Sequence, residues 1–241
     1  MNRSMGFTIL LCTAILCAFI GVFTGIDRAV AAFAEHAPLE RNYCVVIDAG
    51  HGGVDGGAVS CTGVYESHIN LEIALRLEDL MHLIGIDTKM IRTTDISVYT
   101  SGESIAAKKA SDLKERVRIV NAIENAVLIS IHQNHYSNQR YSGAQMFYAP
   151  ADGSKELAVQ LQNAFVKHLD PNNKRKAKKT EGLYLMEHVE KPSVLVECGF
   201  LSNPAEENKL RNEEYQKKIC CVIASVCSTC FANGLQHDLT E

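Results

Sequence analysis

Residues Cys44 to Ile84 read CVVIDAGHGGVDGGAVSCTGVYESHINLEIALRLEDLMHLI, and this stretch decides the fold. Its opening CVVI is a short unbroken apolar run, the pattern of a strand buried on both faces of a parallel sheet. From Leu71 to Ile84 the apolar residues recur at helical spacing, and Gly85 follows as a stop signal. Strand, long loop and helix in that order open an α/β unit. The loop holds six glycines between Val45 and Asn70, a histidine (His51) just after the strand, and Glu66 just before the helix. It lies at the carboxyl end of its strand, the edge where open α/β sheets bind ligands.

Working outward, Thr88–Ile91 reads as a second strand and Ile96–Ala110 as a long polar loop. Asp112-x-x-Glu115 has the pattern of a capping box and opens a helix through Ile123. Val127–Ile131 (VLISI) is a third buried strand and Ala144–Tyr148 a fourth. Lys155–His168 is a helix, Ser193–Val196 (SVLV) a last buried strand, and Glu213–Phe231 a closing helix. Strands alternating with helices predict an α/β fold, a mostly parallel central sheet flanked by helices. The expected division is an N-terminal segment over 1–40, a single catalytic-sized domain over 41–235, and a tail over 236–241. There is no internal repeat.

Polar residues follow three of these strands. CVVI runs into Asp48-Ala49-Gly50-His51, VLISI into His132, and SVLV into Glu197. Glu66 reaches the same edge from the glycine loop. Two histidines and a carboxylate are a common catalytic zinc set, with a fourth position left for water. A second carboxylate outside the ligand set can act as general base. On this reading His51 is a ligand, and the glycines let the backbone turn under the metal. Phosphate cradling is disfavoured. Gly50-His51-Gly52-Gly53-Val54-Asp55 fails the dinucleotide pattern at its last position, and no G-x-x-x-x-G-K-[ST] occurs. His135 forms H-x-x-H with His132, but at a strand end this is not the i, i+4 helical pair of zinc peptidases, so it reads as a rim residue. His68, His82, His168, His188 and His237 read as surface or packing residues.

Composition narrows the classes. The 241 residues are 46% hydrophobic and 22% charged, as in a folded chain. A net charge of −4 gives no case for nucleic-acid binding, and tryptophan is absent, which weakens a sugar-stacking platform. Arg3 precedes the uncharged run Met5–Ile26, long enough to span a bilayer. Ala29-Val30-Ala31 offers an A-x-A cleavage site, but the length of the run favours an uncleaved membrane anchor with the domain outside the cytoplasm. Nine cysteines in an exported chain raise the question of disulfides. Their number is odd, however, and Cys220, Cys221, Cys227 and Cys230 share one apolar helical stretch. Cys227-x-x-Cys230 has no second pair to complete a metal site, so these read as small apolar helix residues. The basic run Lys174–Lys179 reads as a solvated loop, with anionic wall polymer or lipid headgroups as alternative ligands.

The motifs also carry a resemblance. VVIDAGHGG, YESHIN (Tyr65–Asn70), MIRTTD (Met90–Asp95) and LKERV (Leu113–Val117) are followed by LISIHQNH (Leu128–His135), SGAQMFY (Ser142–Tyr148) and VLVECGFLSNPAE (Val194–Glu206). In this order, over Tyr43 to Ala232, the chain resembles zinc-dependent N-acetylmuramoyl-L-alanine amidases of the amidase-3 type. The resemblance implies one Zn2+ per chain held by His51, Glu66 and His132, with Glu197 as catalytic acid/base. It implies a substrate of peptidoglycan glycan strands and stem peptides, cut between the muramic lactyl group and L-alanine. Asn70 and Arg116 would support the site or touch substrate, with local structural hydrogen bonding as the competing role. Ala49 stands where relatives often have proline, and residues 96–110 match poorly. The compact size is similar to the spore-cortex, germination-specific type, whose product leads to muramic-δ-lactam. A protein partner is unknown at this level. The competing functions are a non-catalytic wall- or partner-binding module and a zinc peptidase cutting within the stem peptide.

Overall fold

The computed structural model describes residues 43–235. Strands β1 (Cys44–Ala49), β2 (Asp87–Met90), β3 (Ala126–Asn134), β4 (Gln145–Tyr148), β5 (Lys178–Lys179) and β6 (Ser193–Phe200) form one sheet in the order β2-β1-β3-β6-β4-β5. β2, β1, β3 and β6 run parallel; β4 pairs with β6 antiparallel and carries β5 beside it in parallel. The helices are α1 (Glu66–Leu83), α2 (Ile105–Asn121), α3 (Ser154–His168), α4 (Tyr184–His188), α5 (Pro204–Leu210) and α6 (Glu213–Asn233). The expected fold, a mostly parallel sheet flanked by helices, is the fold observed.

The sheet is covered on both sides, which is why its central strands read as unbroken apolar runs. Val45, Val46 and Ile47 are all fully buried. Alternate strand residues face opposite sides. Val46, Leu128 and Leu195 join Val120 of α2 and Leu185 and Met186 of α4 in one cluster. On the other face α1, α3 and α6 pack together. α1 buries Ile69, Ile73, Leu77 and Met81, a stripe with the i, i+4 spacing of one helix face. In α6, Cys220, Cys227 and Cys230 are buried free thiols, while Cys221 is exposed. Burial pushes the Cys220 thiol up to about 12 and the Cys230 thiol to about 11. Cys220, Cys227 and Cys230 act as apolar core residues, as their helical spacing indicates, whereas Cys221, read with them, lies on the outer face of the helix.

Several boundaries differ from the sequence expectation. The segment read as a loop through Ala110 is helical from Ile105, because Ser104 caps α2 by accepting from the Ala107 backbone N–H at 3.2 Å. Asp112 is therefore no cap. It sits within α2, where it accepts from the Val98 N–H and from Arg116 Nε, both at 2.6 Å. β3 continues to Asn134 and β6 to Phe200, so His132 and Glu197 lie inside paired strands rather than beyond them. The basic run contributes Lys178 and Lys179 to the exposed edge strand β5. Short, lysine-bearing edge strands discourage pairing with another chain. The expected anchor Met5–Ile26 and the tail 236–241 lie outside the described residues; among the described residues no helix is long and apolar enough to cross a membrane.

Candidate active site

Three adjacent elements bring His51, Glu66 and His132 together at the carboxyl edge of the sheet. His51 follows β1, Glu66 opens α1, and His132 lies near the end of β3. His51 Nε2 is 3.3 Å from Glu66 Oε2, and His132 Nδ1 is 2.9 Å from Glu66 Oε1. The two imidazole rings meet nearly edge to face, with centroids 4.9 Å apart. One ligand atom from each of the three residues lies within 4.8 Å of the other two. Two imidazoles and a carboxylate at this separation fit a divalent metal of the zinc type.

The glycines serve this convergence by leaving space. A β-carbon on Gly50 would overlap the His132 ring, and one on Gly57 would come within 2.6 Å of Glu66 Oε2. His51 itself has φ of 61°, the one non-glycine left-handed residue among the described residues. Such backbone persists only where neighbours hold it. Arg116 Nη2 donates to the His51 carbonyl at 2.8 Å. The same guanidinium pairs with Asp48 of β1 and Asp112 of α2, and Ser130 Oγ donates to Asp48 at 2.7 Å. Arg92 donates to the carbonyls of Ala49, Gly50 and Ser67 at 2.8–3.0 Å. Two buried arginines thus tie the loop to the sheet through its backbone carbonyls.

Glu66 is 3% exposed and well supplied with donors. It accepts from the backbone N–H groups of Ala58 and Gln133 at 2.9 and 3.1 Å, and from Asn70 Nδ2 at 3.2 Å. Burial alone would raise its pKa, but the bonds from His132 and His51 outweigh this and hold it well below the usual carboxylate range. Glu197 contrasts with it. The register places Glu197 beside His132 on the neighbouring strand. Its Oε2 is sealed from solvent with no hydrogen-bond partner among the described residues. Desolvation pushes this carboxyl up to about 7. Two carboxylates at one edge are thus held in different protonation regimes by their surroundings, one fixed as an anion and one poised to exchange a proton near neutrality.

These residues line a cleft of about 510 Å3. Besides these polar groups, the cleft is lined by Leu113, Leu183, Leu185, Met186 and Leu195. His135 is exposed on the rim, as its sequence position suggests. Asn70 lies beneath the site, donating to the Gly50 carbonyl and to Glu66, so it supports the site rather than facing the cleft. Arg116 borders the cleft, yet its donors are taken by Asp48, Asp112 and the loop carbonyls. Sequence reasoning assigned no role to Arg92, Asp48 or Asp55. Arg92 binds loop carbonyls and Asp48 pairs with Arg116 and Ser130, and nothing in their local pattern marks that. Asp55 had a visible signal: an acidic residue four positions after a candidate ligand histidine.

A parallel-rich sheet with a metal-type donor set and a proton-poised carboxyl at its carboxyl edge defines a class of hydrolytic α/β proteins. Comparison with known proteins narrows it. Residues 45–226 match the model of the Amidase_3 family, N-acetylmuramoyl-L-alanine amidase, and the chain belongs to that family. It is 39% identical over 181 residues to the germination-specific N-acetylmuramoyl-L-alanine amidase of Bacillus subtilis, covering 74% of this chain and 76% of that one. It is similar to the CwlD amidase of Clostridioides difficile, solved in complex with the GerS lipoprotein, with a TM-score of 0.75 and 35% identity over 78% of this chain and 98% of that one. An N-acetylmuramoyl-L-alanine amidase of Clostridium difficile 630 gives a TM-score of 0.70 at 32% identity, over 81% of this chain and all of that one.

Proposed function

We propose that the protein is a zinc-dependent peptidoglycan amidase that hydrolyses the amide between the muramic lactyl group and the L-alanine of the stem peptide. The observation that carries this reading is the juxtaposition of the His51–Glu66–His132 donors with the unpartnered carboxyl oxygen of Glu197. Held by those three residues, one zinc ion would supply a Lewis acid for the scissile carbonyl and bring the pKa of a water near ~7.

The remaining work falls to the chain. Glu197 Oε2 accepts a proton from the attacking water as that water's oxygen bonds to the lactyl carbonyl carbon. It returns the proton to the alanine nitrogen as the C–N bond breaks, so the carboxylate is regenerated. A carboxyl poised near neutrality suits both transfers. The apolar side chains that line the cleft, Leu113, Leu183, Leu185, Met186 and Leu195, would exclude water and receive the small methyl groups flanking the bond. A peptidase cutting within the stem would use the same donors, and a binding module would not need Glu197 desolvated.

The germination-specific Bacillus relative supports a setting in the spore cortex; that the product lies on the route to muramic-δ-lactam is our own inference. One metal site and one base serve one hydrolysis, so the chain yields peptide-free muramic acid and a separate deacetylation must precede lactam closure. We place the domain outside the cytoplasm, tethered by Met5–Ile26. Because the Clostridioides relative was solved with a lipoprotein, we infer a membrane-linked protein partner here as well.

The test is product analysis. Mass spectrometry of digested peptidoglycan should find intact stem peptides with a free L-alanine amino terminus. Glu197→Gln should retain zinc and lose about 10²–10⁴-fold in rate. Cuts inside the stem with the lactyl–alanine bond intact would replace this reading with the peptidase one.

A further inference from the structure

His51 is held by more than Glu66. Its Nδ1 lies 3.1 Å from Asp55 Oδ2, on the side of the ring away from the Nε2 that faces Glu66. The residues between them form a closed clip. The Gly52 N–H donates to the Asp55 carbonyl at 2.8 Å, and the Asp55 N–H returns to the Gly52 carbonyl at 3.2 Å. The remaining carboxylate oxygen, Asp55 Oδ1, accepts from the Gly57 N–H at 3.3 Å. Lys109 of α2 reaches the Oδ2 oxygen with its Nζ at 2.9 Å, anchoring the clip from outside. The carboxylate is thus fixed by its own backbone, by the following glycine and by a lysine from another element, and its free direction is toward the imidazole.

We propose that Asp55 is a positioning residue: it holds the proton of His51 on Nδ1 and so presents Nε2, with its lone pair, to the metal position shared with Glu66 and His132. An imidazole without such a partner can flip or carry its proton on the wrong nitrogen, and either change removes one donor. Carboxylates that accept from the distal N–H of a ligand histidine also raise its basicity, and losing one commonly costs ~10–100-fold in metal affinity. The left-handed backbone at His51 fits this role. The strained residue is pinned at its carbonyl by Arg116 and at its ring by Asp55, so neither the peptide nor the imidazole can relax. The inference rests on the reading of His51 as a metal ligand.

The test uses full-length protein and two readouts that do not involve catalysis. Zinc affinity is measured by chelator competition for the wild type and for Asp55→Ala, Asp55→Asn and His51→Ala. Asp55→Ala should bind zinc ~10–100-fold more weakly, and Asp55→Asn, which keeps a neutral acceptor, should fall between it and the wild type. In the zinc-loaded wild type the Nδ1–H proton of His51 should be visible by NMR and slow to exchange. It should exchange rapidly in Asp55→Ala. A loop tether alone would change melting temperature without moving that proton. Should Asp55→Ala fail to fold, the asparagine variant carries the comparison. Wild-type affinity and an unchanged Nδ1–H signal in the Asp55 variants overturn the inference. If His51→Ala also keeps full zinc affinity, the ligand reading itself has failed; if His51→Ala loses zinc while the Asp55 variants retain it, only the positioning role has.

Discussion

At His51, a metal and a proton compete for the same imidazole. Burial pulls its pKa down, but hydrogen bonds to Asp55 and Glu66 win and raise it to about 9 in the metal-free protein. The folded value lies above the ordinary 6.5, so protonated His51 stabilises the metal-free fold fully below about pH 6.5, and that contribution fades as pH rises through about 9. Zinc must displace this proton, so its affinity should climb over the same interval. Thermal melts of metal-free and zinc-loaded protein should therefore diverge as pH rises from about 6.5 to about 9. Calorimetry at pH 7 in two buffers of different ionisation enthalpy should register net proton release on zinc uptake. Buffer-independent heats would show that His51 is neutral before zinc arrives. The residue pattern alone made the candidate donors His51, Glu66 and His132 and the candidate base Glu197 legible, since each flanks a recognisable element. Their distinct protonation states were not legible, because these depend on which carboxylate receives hydrogen bonds and which is left without them.

At the level of elements, the site depends on strands and loops approaching closely. Gly50 leads β1 into the His51 turn, directly against the His132 ring on β3, and any β-carbon there would overlap that ring. Gly50→Ala should accordingly displace His132 while leaving the sheet intact. Zinc affinity should drop at least ~10-fold with little change in circular dichroism. Native mass spectrometry of the metal content checks the first and the spectrum the second; full zinc occupancy would show that the loop can shift to admit a methyl group. The same level explains the misplaced start of α2. Asp112-x-x-Glu115 is a valid local capping pattern, yet Asp112 bonds to Arg116 and to the Val98 N–H, while Ser104 lies in extended backbone eight residues earlier and caps instead. A pattern within one segment cannot tell whether its carboxylate will cap its own helix or fasten a neighbouring loop. The extension of β3 and β6 through His132 and Glu197 has a similar cause. These polar residues break the apolar run, but their backbones still pair, and the partner strand supplies the hydrogen bonds.

For the whole molecule, the described domain is a catalytic unit and Met5–Ile26 is the proposed tether. Full-length protein should sediment with membranes, and added protease should digest the domain from the extracytoplasmic side, since Arg3 is placed to stay on the inner side. Recovery of the full chain from the soluble cytoplasmic fraction would contradict that placement. Sequence by itself determined the fold class, because burial on both sheet faces writes uninterrupted apolar runs at CVVI, VLISI and SVLV, and the helix read over Leu71–Ile84 writes its stripe at Ile73, Leu77 and Met81. It also pointed to the family and to four candidate site residues, with His51, His132 and Glu197 following those runs and Glu66 closing the glycine loop. Tertiary structure alone decided how they work together. The register that sets Glu197 beside His132, the sealing of Glu197 Oε2, the arginines gripping loop carbonyls and the Asp55 bond to the far side of His51 all join groups on different elements or across a folded turn. Local propensity carries no information about such contacts; desolvation and hydrogen bonding at the site come into being when the sheet closes and brings its edge together.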